Sequence, residues 1–434
     1  MLNINERVDS LIQWINNAHN ASLKLSNASY ISPKLIVKHS DDSGRGLYAA
    51  DSIGSNERLV RIPPLFLMNF TTVLAHITKH NPEITLTEPY YANIYVPPTV
   101  DDSVGKLYSK LNLSSLLELL SFQLLAMFLV LERSRGTLSY WKPFIDMQPE
   151  ISELGLAPVI WKVLDVANCD LLWRMLPRSA RKHAEAVVAR FDKDYLTIQQ
   201  KLPLVGQQIS RNNFLWAWMC INSRCLYMEI PQAKDASDNF TLAPYVDFLN
   251  HLNDDQCGIK IDTLGFHVMT SCKYLPGQEL YFSYGPHSNE FLLCEYGFML
   301  PENKWNYIDI TDFIIPMLRP AHVEFLKIWG YYGEYTVNKS GMSFRTEIAL
   351  ATLQETSPQD SRRLKVFIDG ISDGQVYTHR LRELLRKILQ KLINDSERKL
   401  SSQGEYDEET LRRITAVQSL FKDIQEISLI ALSE

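Results

Sequence analysis

Asp247-Phe248-Leu249-Asn250-His251, followed further along by Glu279-Leu280-Tyr281-Phe282-Ser283-Tyr284-Gly285-Pro286-His287-Ser288-Asn289-Glu290-Phe291-Leu292-Leu293-Cys294-Glu295-Tyr296-Gly297-Phe298, is the stretch on which the fold turns. It reads as a short Asn-His segment, then a strand ending in Ser-Tyr-Gly, then a helix from Asn289. Gly297 suits a helix C-cap, because only a residue without Cβ takes the left-handed conformation there at no steric cost.

Outward from this stretch the hydrophobic pattern changes twice. Short strands over 241–284 are punctuated by turns at Asp262-Thr263-Leu264-Gly265 and Leu275-Pro276-Gly277-Gln278. Earlier strands, Leu35-Ile36-Val37 and Arg58-Leu59-Val60-Arg61-Ile62, flank Ser43-Gly44-Arg45-Gly46, and Pro63-Pro64 ends the second. From about 71 to 209 the chain reads as largely helical, with Leu116, Leu117, Leu120, Leu124 and Phe128 at helical spacing. An amphipathic helix is expected over 4–20, with Ile4, Val8, Leu11, Ile12 and Ile15 on one face. Beyond 301, Leu381, Leu384, Leu385, Ile388, Leu389, Leu392 and Ile393 form one stripe, and Leu411 to Ile427 form a second. Ser401-Ser402-Gln403-Gly404-Glu405 separates them, which predicts an antiparallel helix pair. The expected class is α+β: a fold of short strands carrying a helical insertion, then an all-α C-terminal domain.

The 434 residues suffice for two or three domains. A formal charge of -6 argues against nucleic acid as the main partner. The six cysteines form no C-x-x-C pair and no zinc spacing, so no metal is expected, and buried free thiols in a reducing compartment are. The longest apolar stretch, Leu116 to Leu131, is broken by Glu118 and Gln123 and is too short to span a bilayer. The start, Met1 to Arg7, lacks the charged-then-apolar pattern of a signal peptide. A cytoplasmic protein, extending to the nucleus, follows as the expectation, with a monomer as the working form.

Asn250-His251, Ser-Tyr-Gly at 283–285 and Tyr-Gly-Phe at 296–298 resemble the closing motifs of SET-domain methyltransferases, and more narrowly the branch typified by the Rubisco large-subunit lysine methyltransferase. The resemblance covers roughly residues 30 to 434. After the N-terminal helix read from periodicity (1–30), it implies a first SET part (31–75), a helical insertion (76–209), a second SET part (210–300) and a helical substrate-binding domain (301–434). It also implies S-adenosylmethionine as cofactor and a protein lysine as substrate. Ser43-Gly44-Arg45-Gly46-Leu47-Tyr48-Ala49 is similar to the family's first cofactor loop, where backbone around the glycines holds the cofactor; by itself such a sequence is more often a tight hairpin turn. Ser43 stands where the family often has an acid.

In Asn222-Ser223-Arg224 the family's Ser-Arg pair maps Arg224 to the methionine end of the cofactor and Ser223 to the substrate side. An Arg suits a carboxylate because its planar fork gives two parallel hydrogen bonds; the other reading is a surface Arg ending an amphipathic helix. Asn250 and His251 are implied cofactor contacts, with Leu252 in place of the usual Ser, and Asp247 is an implied substrate contact. Tyr284 matches the catalytic Tyr of the closing strand and also borders the cofactor. Of the last two rings, Tyr296 is implied in the lysine channel and Phe298 beside adenine; both also read as core aromatics around the Gly297 cap. The absence of cysteine from Pro301 to Asn338 sets the chain apart from histone-directed members with a zinc segment there. A non-histone target is therefore expected, and the resemblance implies a translation-associated one, a ribosomal protein or an elongation factor. Two alternatives stay open: a protein histidine methyltransferase of the same family, and a SET-like scaffold without transfer activity.

Overall fold

The computed structural model describes residues 3–16, 28–40, 44–91, 94–254, 256–262, 264–401 and 404–433. The chain folds into two compact units. The first comprises Met1–Asp165, Glu185–Pro286 and Glu295–Gly297; the second comprises Val166–Ala184, His287–Cys294 and Phe298–Glu434.

Three small sheets organise the first unit. One has strand order β1 (Tyr30–Ile31), β4 (Arg58–Ile62), β10 (Gly265–Thr270) and β9 (Cys257–Asp262), all antiparallel. A second runs β2 (Leu35–Ser40), β3 (Gly44–Ala49), β11 (Glu279–Phe282) and β8 (Asn250–His251). Here β2 and β3 form a hairpin, β3 pairs antiparallel with β11, and β11 pairs parallel with β8 in the register Tyr281 to Asn250 and Phe282 to His251. The third joins β5 (Met68–Asn69), β7 (Phe240–Leu242) and β6 (Leu226–Tyr227). The expected turn at Leu275-Pro276-Gly277-Gln278 is present: Gly277 has φ +88 and the Gln278 N–H donates to the Leu275 carbonyl at 3.1 Å.

The helices follow local sequence logic. In α1 (Ile4–Ile15), Asn3 accepts from the Glu6 N–H while the Glu6 carboxylate accepts from the Asn3 N–H, a reciprocal cap; Val8, Leu11, Trp14 and Ile15 are buried. The expected residues 17–20 of this helix lie outside the described part. After α2 (Phe70–Thr78) the expected helical character lapses among the described residues until Asp102, apart from one turn at Pro89–Tyr91. Pro82, Pro89, Pro97 and Pro98 explain this, since each lacks the N–H a helix interior needs. Helix α3 (Ser121–Arg135) is buried on every side from Ser121 to Glu132, so its apolar run is a core helix. Helix α4 (Arg178–Lys201) precedes α5 (Arg211–Arg224), which is capped by Ser210 and places Arg224 in its last turn. No described helix is long and apolar enough to cross a membrane.

The second unit takes in most of α6 (Asn289–Tyr296) and has its own core around Ile310, Phe325, Tyr335, Leu350 and Leu389. It is mainly helical, as expected, through α7 (Phe344–Thr352), α8 (Gln375–Leu400) and α9 (Glu408–Ser433). A small antiparallel sheet of β12 (Tyr307–Asp309), β13 (Thr336–Asn338) and β14 (Gly341–Met342) also occurs there, which the all-α expectation did not contain. Strands of two or three residues carry no period long enough to read. Helices α8 and α9 pack on each other. Each is about 39 Å long and the link is short, so they run antiparallel, as the two stripes predict.

Candidate active site

The second sheet and the end of α5 bring the motif residues of the first unit together. Where the chain enters the segment, buried Tyr245 has φ +70, a strained value for a residue with a Cβ. Val246–Phe248 form one tight turn, and Asn250–His251 then lie along β11. The Tyr284 N–H donates to His251 Nδ1 at 3.0 Å, and the two rings stack at 5.0 Å. Because Nδ1 accepts, the neutral imidazole carries its proton on Nε2. The Tyr284 hydroxyl donates to the Leu249 carbonyl at 2.9 Å. Its single hydrogen is thus committed to that carbonyl. Burial pushes the Tyr284 hydroxyl up to about 12, so the ring stays a neutral phenol at working pH. Tyr296 lies 5.5 Å from Tyr284 between ring centroids, and burial likewise raises its pKa.

Asn250 is fixed at both amide hydrogens. Nδ2 donates to the Arg45 carbonyl at 3.2 Å and to Glu279 Oε1 at 2.7 Å, which leaves Oδ1 to accept. The Arg45 side chain serves the fold: it donates to the Met147 carbonyl and pairs with Glu153 at 3.3 Å. Its possible contribution to a ligand is through backbone. Gly44, at φ +70, needs the freedom of glycine. Ser43 lies outside the described residues. Arg224 Nη1 donates to the Asp247 carbonyl at 2.9 Å and stands 3.7 Å from Asp247 Oδ2. Among the described residues Arg224 Nε has no hydrogen-bond partner, whereas the Asp247 carboxylate faces the positive charges of Arg224 and Arg45 and the side chain of Gln148. Burial raises the pKa of Asp247, whose side chain is 2% exposed, and the positive charge of Arg224 opposes that rise.

The expected residues do not all behave alike. Tyr284, Asn250, His251, Asp247, Arg224 and Tyr296 converge in the first unit. Ser223 donates to the Met219 carbonyl one helical turn back, so its hydrogen is spent within α5. Phe298 belongs to the second unit. Asn222, a neighbour the motif passes over, donates to the Glu295 carbonyl at 2.8 Å and to its Oε2 at 3.0 Å; Arg190 holds the same carboxylate at 2.8 Å. This ties the end of α5 to the Glu295-Tyr296 end of α6. Sequence reasoning missed both Asn222 and Glu279. Neither lies at a spacing that links it to its partners.

The arrangement fits a zwitterionic ligand. The Asn250 amide oxygen is turned to accept from a cationic group, and an unfilled guanidinium N–H of Arg224 to meet an anion. No cluster of His, Cys, Asp and Glu among the described residues is arranged to hold a metal.

Comparison with known proteins adds to this geometry. Residues 44–285 match the family model described as the SET domain, and residues 306–434 match that of the Ribosomal lysine N-methyltransferase 2 C-terminal domain. The chain is 31% identical, over 89% of its length and 90% of the relative's, to ribosomal lysine N-methyltransferase 2 of Saccharomyces cerevisiae. It is 25% identical, over 90% of its length and 89% of the relative's, to ribosomal lysine N-methyltransferase set11 of Schizosaccharomyces pombe. Among solved structures it resembles the SET domain of LSMT bound to lysine and AdoHcy, with a TM-score of 0.58 and 14% identity, over 100% of this chain and 92% of that one. At that identity the likeness speaks for the fold.

Proposed function

The chain belongs to the SET-domain family of protein lysine methyltransferases, and from that premise we propose that it methylates the side-chain amine of a lysine in a ribosomal protein, with S-adenosylmethionine as donor. When bound, this cofactor supplies an electrophilic methyl carbon on a sulfonium. The observation that carries the reading is the Tyr284 hydroxyl, kept neutral by burial and held by its donation to Leu249.

The protein's own part is to hold, orient and dry. Asn250 Oδ1 suits the cofactor's ammonium, the unfilled side of Arg224 suits its carboxylate, and Asp247 is assigned to the substrate side. Backbone at Gly44-Arg45 and the ring of His251 complete that wall. On the substrate side, Tyr284 and Tyr296 offer aromatic faces to the lysine stem and its cation. A lysine amine has an ordinary pKa of about 10.4 and must lose a proton before it attacks. The Tyr284 lone pairs accept from the amine N–H and aim its remaining pair, a contribution of orientation rather than of acid–base chemistry. The C-terminal unit is assigned to substrate choice. The setting inferred with it is the cytoplasm, extending to the nucleus, and the working form a monomer.

The test is incubation of the purified protein with labelled S-adenosylmethionine and ribosomal proteins from cells lacking the gene, followed by mass spectrometry of the labelled band. Label on a lysine of a ribosomal protein is expected. Label on a histidine would move the chain to histidine transfer, and cofactor binding without label on any protein would leave a binding scaffold.

A further inference from the structure

We infer that Glu279 is a positioning residue of the cofactor site, acting through Asn250, and that Gly46 is glycine to let it do so. The inference rests on the cofactor reading proposed above.

Asn250 can hold a cationic group only with its oxygen turned toward it, and an amide side chain is otherwise free to flip. Here the flip is blocked. Nδ2 faces the Arg45 carbonyl at 3.2 Å and Glu279 Oε1 at 2.7 Å. Turning the amide over would set Oδ1 against two acceptors, one of them a carboxylate. The carbonyl is a weak selector; the carboxylate is the strong one, because a charged acceptor roughly doubles the strength of the bond.

Glu279 is itself held. Its Oε2 accepts from the Tyr48 hydroxyl at 2.9 Å and from the Tyr281 hydroxyl at 2.9 Å, so both carboxylate oxygens are engaged. Tyr48 lies on β3 and Tyr281 on β11, the two strands that pair beside the site. The cost of placing a side-chain carboxylate against β3 appears at Gly46. A Cβ built there would lie 2.3 Å from Glu279 Oε1 and 3.0 Å from Asn250 Nδ2. Gly46 has no left-handed backbone to explain it, so its missing side chain is space for the carboxylate–amide bond. The two glycines of the Gly44-Arg45-Gly46 motif thus have different duties: Gly44 provides conformation, Gly46 provides room.

The experiment uses the full chain and S-adenosylhomocysteine as probe, with titration calorimetry and steady-state methylation of the labelled ribosomal target. Glu279→Leu keeps the bulk and removes the acceptor; binding is expected to weaken by about tenfold or more, with KM for S-adenosylmethionine rising in step and kcat within about threefold. Glu279→Gln retains an acceptor and should recover most of the affinity. Gly46→Ala, which leaves every polar group in place, should weaken binding as Glu279→Leu does. Because Glu279 acts through Asn250, the double variant Glu279→Leu/Asn250→Ala should bind no worse than Asn250→Ala alone. Additive losses in that pair, or Gly46→Ala or Glu279→Leu within about threefold of the parent, would overturn the inference. If Glu279→Leu does not fold, Gly46→Ala and Glu279→Gln decide it. A parent that binds the probe but methylates no ribosomal protein refutes the proposed target and leaves this inference standing. A parent that binds no probe refutes both.

Discussion

Tyr284→Phe removes one hydroxyl and keeps the ring against His251 and Tyr296. Loss of the accepting lone pairs should cost roughly 3 kcal/mol of barrier, about a hundredfold in single-turnover rate at saturating cofactor. Affinity for S-adenosylhomocysteine should hardly change, and a rate within about threefold of the parent would remove Tyr284 from the chemistry. The pH profile carries a second expectation. With its hydroxyl pushed up to about 12, Tyr284 stays protonated across the usual assay range. Rate should therefore climb with pH as the lysine amine loses its proton, with no fall from tyrosine ionisation below about pH 10. Asp247 gives a prediction of opposite kind. Burial raises its folded pKa above the unfolded one, so the stability it carries is present below about pH 4 and is lost as pH rises through the folded value. At pH 7.5, Asp247→Asn should stabilise the ligand-free protein by about 1–3 kcal/mol, read by urea unfolding, while KM for the protein substrate rises. At this scale the order of the motif residues along the chain is itself a signal, and the fold brings Asn250, His251, Tyr284, Asp247 and Arg224 together in one unit. What stayed hidden was partner choice. Glu279 looks like an ordinary strand start, Arg45 looks like a ligand group although its side chain braces Met147 and Glu153, and the Ser223 hydroxyl turns back into its helix. Those contacts depend on the third dimension, and no local pattern encodes them.

Among the elements, the hairpin of β9 and β10 rests on Gly265. Its φ is +108, and a Cβ there would lie 2.0 Å from the Ile62 carbonyl oxygen in β4. Backbone cannot yield as a flexible side chain can, so Gly265→Ala should destabilise the first unit by about 3 kcal/mol or more, seen as a lower urea midpoint. By contrast Gly277, although at φ +88, has nothing within 4 Å of a built Cβ, and Gly277→Ala should cost only its backbone strain, about 1–2 kcal/mol. The long helices and the β-branched strands were readable from period alone: Leu381, Leu385, Ile388 and Leu389 are buried as their stripe predicts. The region from 79 to 102 and the strands at 307–309, 336–338 and 341–342 were not. In the first, prolines overrode a hydrophobic pattern; in the second, the elements are shorter than any period.

For the molecule as a whole, the second unit is assembled from three separated pieces of chain. Asn289 donates to Asp423 at 2.8 Å, and Leu292 and Leu293 are fully buried. A chain cut after residue 300 would keep 166–184 and 287–294 and lose what covers them. We expect such a truncation to aggregate on expression, measured by sedimentation of the soluble fraction; a monodisperse protein binding S-adenosylhomocysteine like the parent would refute this. Substrate choice by the C-terminal unit is better tested by surface substitutions in the full chain. The second sheet has a further consequence, which concerns synthesis. Strand β3 ends at Ala49, yet its partner β11 begins at Glu279. A ribosome adding about 5–20 residues per second leaves the β2–β3 hairpin waiting on the order of 10–50 s for its neighbour. Through that interval the apolar faces of Val37, Leu47 and Ala49, all buried in the finished protein, stand open beside a growing helical insertion. The nascent chain is thus a client for whatever shields apolar strands at the tunnel exit, and the second sheet closes only once about two-thirds of the chain has been made.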